Sequence, residues 1–432
     1  MKSVLILHYH EIWLKGGNKK YFLSRLITAI KQSLEDLSVA GPQYVSERLI
    51  LRPRDEAAVP QIIERLRRVF GLAYIALGRE VPRDMEGLGD AACEMMAAKD
   101  PRTFAVRAKI ADTTFGMNSM ELEKALGQRI LDHLRNRGSS VQVKLNDPRV
   151  TCCVEIIPGS ALMYADRIEG AGGLPAVTSG KVLVLLSGGF DSGVAAYKMM
   201  RRGAHASFVH FFGPPSSARG SSRPIAEQIV RTLTPYQFTS RLYLVPFDSI
   251  QRQIVAGAHE GLRLLLYRRL MARIAREIAK TERALGLVTG DSVSQVASQT
   301  LHNMAALDRG LDLSMYRPLA GDDKQDILKM ARDIGTYQIS CQPFEDCCPR
   351  FMPRSPVIFS RPEQLVEAES HLNIEGLVTE GLEGTTAVDF TFAKGLVECR
   401  EAAIPRLRKL LVWRAADGEP SSQQPVVNEG LP

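Results

Sequence analysis

The chain lacks what marks a membrane or secreted protein. No uninterrupted apolar run approaches the roughly 20 residues that a membrane-spanning helix needs. Its first residues, MKSVLILHYHEIWLKGG, reach a histidine after about four consecutive apolar positions, too few for a signal-peptide core. Cysteine is sparse, and its seven copies are an odd number in a long chain, which argues against a disulfide scaffold. No internal repeat and no sustained leucine heptad is present, so neither a solenoid nor a coiled coil is expected. These absences point to a cytoplasmic globular protein with no membrane partner.

What the chain does hold is length, positive charge and alternation. Its 432 residues suffice for about three domains, each with its own core. Hydrophobic residues make up 45% and charged residues 24%, as in ordinary globular proteins. Lysine and arginine total 55 against 48 acidic residues, a net charge of +7 that favours a polyanionic partner.

The most informative stretch is KVLVLLSGGFDSGVAAYKMMRRG, residues 181–203. A Val- and Leu-rich run, typical of a parallel strand buried on both faces, breaks at Ser187-Gly188-Gly189-Phe190-Asp191-Ser192. Beyond it, Val194, Ala195, Tyr197, Met199 and Met200 suit a packed helix. Two glycines let backbone approach a ligand closely, and amides at a helix N-terminus face an anion with the helix dipole behind them. Ser187 and Ser192 add hydroxyl donors, while Asp191 offers a carboxylate to the metal that accompanies a polyphosphate. A phosphate site is therefore expected here, although the loop carries neither the Lys-Ser/Thr ending of a Walker A sequence nor GxGxxG.

The remaining pattern fills in around this loop. Residues 1–58 read as a small α+β unit, with a strand at 4–8, a basic loop at 15–20, a helix reaching residue 37 and a strand at 44–51. Residues 59–166 hold a helix at 62–69, a strand at 103–109, a long helix at 119–136 capped by Ser119, and strands at 141–145 and 150–157. Asn146-Asp147-Pro148 is the expected turn between those last two strands. Cys152 and Cys153 should point to opposite faces as packing residues. Residues 167–180, with Gly170-Ala171-Gly172-Gly173, form a linker. From 181 to 390, apolar runs at 182–186, 206–212, 242–247 and 285–289 alternate with helical segments, which predicts a doubly wound parallel sheet. Ligands of such sheets sit at the carboxyl ends of the strands, so Thr289-Gly290-Asp291 and Pro246-Phe247-Asp248 should line one crevice. Residues 391–432 are a C-terminal extension, with a disordered tail expected from about 419 because little there can pack.

Several strings, in order, resemble the tRNA 4-thiouridine synthetases (ThiI). The SGGFDS loop resembles the pyrophosphate loop of ATP pyrophosphatases. Glu11-Ile12-Trp13-Leu14-Lys15-Gly16-Gly17-Asn18 is similar to the family's GEIxLKGxN stretch, with His10 where glycine is usual. Residues 104–109, 119–121 and 143–148 are similar to its RNA-binding THUMP domain. His210-Phe211-Phe212-Gly213, Thr289-Gly290-Asp291-Ser292, Gln295–Thr300, Arg317-Pro318-Leu319, Asp323-Lys324 and Glu345-Asp346-Cys347-Cys348 complete the match, with Asp291 where glutamate is common.

The resemblance implies a ferredoxin-like N-terminal unit, a THUMP domain and a PP-loop ATP pyrophosphatase domain. It implies that ATP adenylates the 4-oxygen of the uridine at tRNA position 8, and that persulfide sulfur then displaces AMP. It gives Lys324 and Asp191 to catalysis, the latter with magnesium, and puts ATP contacts at Leu185, Leu186, His210, Phe211, Arg268, Gly290 and Gln299. Only a thiolate readily accepts persulfide sulfur. Cys347 occupies the family's cysteine position, with Cys348 and Cys341 as neighbours able to share sulfur or resolve a disulfide. Residues 264–269 carry none of the cysteines with which some relatives hold an iron–sulfur cluster, so none is expected. About 45 residues follow Asp389, too few for the rhodanese domain of some members, so a separate cysteine desulfurase or rhodanese should donate sulfur. Lys15, Lys19, Lys20, Arg107, Lys109 and Lys144 are candidate RNA phosphate contacts. Relatives imply a homodimer. Alternatives are sulfur transfer to another acceptor, as in thiamine thiazole synthesis, and a tRNA-binding protein without turnover.

Overall fold

The computed structural model describes residues 3–214, 220–345 and 356–416. The chain divides into two compact units: Met1–Thr178 with Arg201–Gly203 and Ala393–Leu396, and Ser179–Met200 with Ala204–Phe392 and Val397–Pro432. Residue 58 lies just ahead of a helix and residue 166 within a strand, both inside the first unit.

The first unit is built on one eight-stranded sheet. Its elements are β1 (Ser3–His8), α1 (Lys19–Ser33), β2 (Val39–Val45), β3 (Arg48–Pro53), α2 (Val59–Leu66), β4 (Tyr74–Val81), α3 (Met85–Lys99), β5 (Thr103–Ile110), α4 (Ser119–Asn136), β6 (Gln142–Val143), β7 (Val150–Ile157) and β8 (Ser160–Glu169). The strand order is β2-β3-β1-β4-β8-β7-β5-β6. Leu88, Ala92 and Met96 of α3 and Leu122, Leu126 and Ile130 of α4 pack on Phe104, Val154 and Ile156, all fully buried. Strand alternation puts Cys152 in this core and Cys153 in a cluster with Ile6, Leu162 and Tyr164, as the period-two reading expects.

Several local expectations need correction. The single strand expected over 44–51 is a hairpin, turned at Ser46 and Glu47 with φ of 45° and 67°. A tight hairpin of this hand usually announces itself with Asn-Gly, and Ser-Glu carries no such signal. Helix α1 ends at Ser33, short of residue 37. The cap of α4 is Asn118 rather than Ser119: its side chain accepts from the Met120 and Glu121 amides at 3.0 Å, and Glu121 returns a bond to the Asn118 amide at 2.9 Å. Residues 146–148 join no hairpin, because β6 and β7 both run parallel to β5 on opposite sides of it. Sequence reading missed β4, α3 and β8. Gly78 interrupts the β4 pattern at a register shift, where a Cβ would stand 2.5 Å from the Met163 carbonyl oxygen.

The second unit is the expected doubly wound sheet, in the order β13-β12-β9-β10-β11-β14-β15. The strands are β9 (Lys181–Leu185), β10 (His205–Phe212), β11 (Thr239–Pro246), β12 (Gly286–Val288), β13 (Ser314–Tyr316), β14 (Thr386–Ala393) and β15 (Leu396–Glu401). The first five strands in that order are parallel, and β14 pairs antiparallel with β11. The helices are α5 (Phe190–Arg201), α6 (Arg223–Leu233), α7 (Asp248–Gly257), α8 (Arg263–Glu282), α9 (Leu301–Asp308), α10 (Lys324–Asp333), α11 (Tyr337–Ser340), α12 (Pro362–Ser370), α13 (Ile374–Glu383) and α14 (Pro405–Ala416). Leu183, Val209 and Val245 of the central strands are fully buried against Ile274 and Ile278 of α8, which explains their continuous apolar character. From β9 the chain winds one way to β10 and β11, then returns to the other side for β12 and β13. That reversal opens a crevice at the carboxyl ends of β9 and β12, the place where such sheets bind ligands.

Candidate active site

The loop that leaves β9 is braced from within. The Ser187 amide donates to Ser192 Oγ at 3.0 Å, the two serine hydroxyls lie 3.1 Å apart, and the Gly189 amide donates to Ser187 Oγ at 3.3 Å. Gly188 and Gly189 keep negative φ, so their value is space rather than an unusual backbone angle. A Cβ on Gly188 would stand 2.5 Å from the Phe344 ring. The loop leaving β12 closes in from the other side: a Cβ on Gly290 would meet the Ser192 amide nitrogen at 2.7 Å, so only glycine lets the two loops touch.

Between these loops lies a cavity of about 400 Å³. Leu185, Leu186, Ser187, Asp191, Ser192, Phe211, Arg268, Gly290 and Gln299 all line it, so the structure brings together most residues singled out from sequence. Leu264 and Met271 extend its apolar wall. Gly188, Gly189, Lys324 and His210 are not among the lining residues, and His210 is fully buried: it bonds the Leu186 carbonyl oxygen and Ser222 Oγ at 2.8 Å each, and so holds loop backbone. The expectation that 246–248 share the crevice fails. Phe247 is in the core, Asp248 pairs with Arg252 at 2.9 Å, and β11 stands two strands from the reversal.

Asp191, at the start of α5, accepts from Lys324 Nζ at 2.5 Å and from Gln295 Nε2 at 3.0 Å. Lys324 begins α10 and also sits 5.8 Å from the Phe190 ring centre. One carboxylate with no group of three His, Cys, Asp or Glu around it, among the described residues, cannot cage a metal alone. It does suit magnesium, which keeps several waters and takes one or two carboxylates plus substrate phosphates.

The residue that sequence reading undervalued is Asp291, expected with Thr289 and Gly290 at the crevice, where it lies, but given no role beyond being a departure. It is 4% exposed and accepts from Arg268 Nη2 at 2.6 Å, Thr289 Oγ1 at 2.8 Å, Gln299 Nε2 at 3.0 Å and Arg317 Nε at 3.4 Å. Burial, the largest single influence, works to raise its pKa, but the charge and hydrogen bonds of Arg268, the Thr289 hydroxyl and the Arg317 charge together outweigh it and hold it below the usual carboxylate range. Arg317 is clamped in turn by Asp308 at 2.6 and 2.7 Å. With Nε2 spent on Asp291, Gln299 Oε1 is a buried acceptor without a partner among the described residues.

Cys347 and Cys348 lie outside the described residues. Cys341 is exposed just after α11, whose Tyr337 stacks on Phe190 with ring centres 5.1 Å apart. In the first unit, Lys19 pairs with Glu47 and sits 3.8 Å over the Trp13 ring, and Lys15 sits 4.9 Å from the Phe22 ring centre. Lys20 is exposed, while Trp13 and Leu14 are 50% and 85% exposed, an apolar element that the reading of lysines alone overlooked. Arg107 and Lys109 share one face of β5; Arg107 donates to the Leu145 carbonyl at 2.6 Å. Lys144 is exposed 3.8 Å from Asp147.

The sequence matches three families: "Thiamine biosynthesis protein (ThiI)" over residues 177–374, "ThiI ferredoxin-like domain" over 4–76 and "THUMP domain" over 82–166. A "Probable tRNA sulfurtransferase" of Thermus thermophilus is 38% identical over 93% of this chain and 98% of its own. One of the same name from Staphylococcus aureus is 34% identical over 90% and 94%. Among solved structures, a 4-thiouridine synthetase in complex with RNA and with bound ATP aligns with a TM-score of 0.77 at 32% identity, covering 90% of this chain and 99% of that one. The chain belongs to the ThiI family.

Proposed function

We propose that this protein is an ATP-dependent tRNA sulfurtransferase that converts the uridine at tRNA position 8 to 4-thiouridine. The observation that carries the reading is the Asp191–Lys324 pair, set at the N-terminus of α5 beside a cavity with one apolar wall and one charged wall. Among relatives and neighbours, the names tRNA sulfurtransferase and 4-thiouridine synthetase support it.

In this reading the base of ATP rests on Leu185, Leu186 and Phe211, and the unpartnered Gln299 Oε1 accepts from its amino group. The phosphates meet the Ser187–Ser192 loop, where a helix N-terminus leaves amides free for an anion. Asp191, together with those phosphates, would hold magnesium, which supplies positive charge to the polyphosphate. The uridine 4-oxygen attacks the α-phosphorus, and the bond to pyrophosphate breaks. Lys324, released from Asp191, neutralises the charge that develops on the leaving pyrophosphate. The terminal sulfur of a Cys347 persulfide then adds to C4, AMP leaves with the oxygen, and a second thiol, Cys348 or Cys341, cleaves the S–S bond to leave a disulfide.

Lys15, Lys19, Lys20, Arg107, Lys109 and Lys144 contact RNA phosphates in this scheme, reading folded shape rather than sequence. Sulfur comes from a separate cysteine desulfurase or rhodanese in the cytoplasm, and no iron–sulfur cluster takes part. The test combines unmodified tRNA, ATP, magnesium, cysteine and a cysteine desulfurase, with 4-thiouridine measured by mass spectrometry. Cys347→Ser should lose thiolation yet retain ATP–pyrophosphate exchange; absence of both activities in the wild type would sink the enzymatic reading.

A further inference from the structure

A second cavity, of about 570 Å³, opens at the other end of the same sheet. It is lined by Lys181, His205 and Thr239, the first residues of β9, β10 and β11, whereas the site above lies at the carboxyl ends. Nothing in the sulfur-transfer reading uses it.

Its floor is an ordered polar network. Glu282, at the end of α8, accepts from Tyr243 Oη at 2.6 Å, Ser207 Oγ at 3.3 Å and Arg241 Nη1 at 3.4 Å, with Lys181 Nζ 3.6 Å away. Arg241 in turn grips Asp389 through two bonds of 2.7 and 2.9 Å. Ser207 and Tyr243 are buried, so this arrangement is fixed before any ligand arrives.

Two sets of groups remain uncommitted. His205 Nε2 lies 3.0 Å from the Thr239 carbonyl oxygen and must donate to it. Burial, with the Lys181 charge, depresses the His205 pKa and keeps the ring neutral, so its Nδ1 carries a lone pair. That Nδ1 is buried without a partner among the described residues. It lies behind the cavity wall, so the acceptors open to a ligand's hydroxyls are the carboxylates, Asp389 the more exposed of the two. At the rim, Arg400 has no partner among the described residues, Arg406 makes one long bond of 3.4 Å to the Thr281 carbonyl oxygen, and Lys181 has only its distant carboxylate. Six charged side chains face the cavity, Lys181, Arg241, Arg400 and Arg406 against Glu282 and Asp389, which leaves two positive charges in excess.

We propose that this cavity is a second ligand site, for a small phosphorylated polyol: a phosphate monoester held at the Lys181–Arg400–Arg406 rim, with hydroxyls donating to the part-exposed Asp389 carboxylate. The guanidiniums suit a phosphate, which they bind through paired, charge-assisted bonds. The volume suits a molecule of sugar-phosphate size rather than a bare ion. Because the site faces away from the crevice, its occupant and ATP bind together.

The probe is ribose 5-phosphate, titrated calorimetrically into full-length protein saturated with a non-hydrolysable ATP analogue, alongside ribose and inorganic phosphate. Binding is expected, with ribose and phosphate each weaker by about tenfold or more, roughly one lost charge-assisted contact. The exposed double variant Lys181→Gln/Arg400→Gln should lose about tenfold or more in affinity, and Asp191→Asn should lose none. Absence of heat with millimolar ribose 5-phosphate, displacement by the ATP analogue, or indifference to Lys181→Gln/Arg400→Gln would each overturn the proposal. Inorganic phosphate binding as tightly as the sugar phosphate would overturn its polyol part. These readouts need no turnover, so they stand apart from any failure of the sulfurtransferase reading.

Discussion

Asp291→Asn tests whether the charged wall of the ATP cavity depends on a single carboxylate. Asparagine is nearly isosteric, but it removes the charge and turns an NH2 group toward guanidinium donors. Arg317 would keep Asp308, at 2.6 and 2.7 Å, so its loss is partial. Arg268 would keep only the Ser298 carbonyl and hydroxyl oxygens, both at 3.2 Å, and its charge would be left uncompensated. Removing one partner of a largely buried pair costs about 3–5 kcal/mol, and the surviving Ser298 contacts argue for about 3. If that cost is expressed as displacement of Arg268, the KM for ATP in pyrophosphate exchange should rise roughly a hundredfold. The kcat should fall far less, because Lys324 and Asp191 are untouched. Asp291→Glu keeps the charge and should stay within about threefold of wild type. An Asp291→Asn enzyme with a KM near that of wild type would refute the idea that Asp291 positions Arg268.

Glycine substitutions separate space from conformation in the phosphate loop. Gly188→Ala should cost about tenfold or more in ATP affinity, because its Cβ would collide with Phe344 at 2.5 Å; Gly189→Ala, whose nearest neighbour is Ser187 Oγ at 3.6 Å, should be much milder by the same titration. Lys20→Ala and Lys109→Ala should each lower the slope of log affinity for tRNA against log salt by about 1, and unchanged slopes would remove them from the interface. His8, held neutral down to about pH 3 chiefly by burial and then by the charges of Arg48, Lys109 and Arg167, gives a pH prediction. The unfolded chain protonates first, near pH 6.5, so stability falls as pH drops from there toward 3 by up to ~1.4 kcal/mol per pH unit. His8→Phe should flatten that slope in urea unfolding of the full chain, and an unchanged slope would show that the ring charges in place.

The fold was legible in the sequence where one rule acted alone. Continuous apolar runs marked β9, β10 and β11 because both faces are covered, whereas the point where the winding reverses was not legible, as the failed expectation for 246–248 shows. The phosphate loop was legible because its chemistry is local: the hydroxyls, glycines and helix N-terminus fall within six residues. Reading failed where tertiary structure supplied the reason. The turn at Ser46 and Glu47 is held in positive φ without the residues that favour it, between two strands whose pairing fixes the chain on both sides. Gly78 broke the pattern of β4 because β8 approaches too closely for any side chain, a fact about a partner about 85 positions away. The role of Asp291, as distinct from its place at the crevice, was the costliest omission. Only Thr289, two residues away, is near it in sequence; Arg268, Gln299 and Arg317 come from separate segments, and no spacing in the chain relates them. The carboxylate holds all four donors at once in a site that is otherwise short of negative charge. That is why its removal is expected to act on Arg268 first, the donor with the fewest other partners.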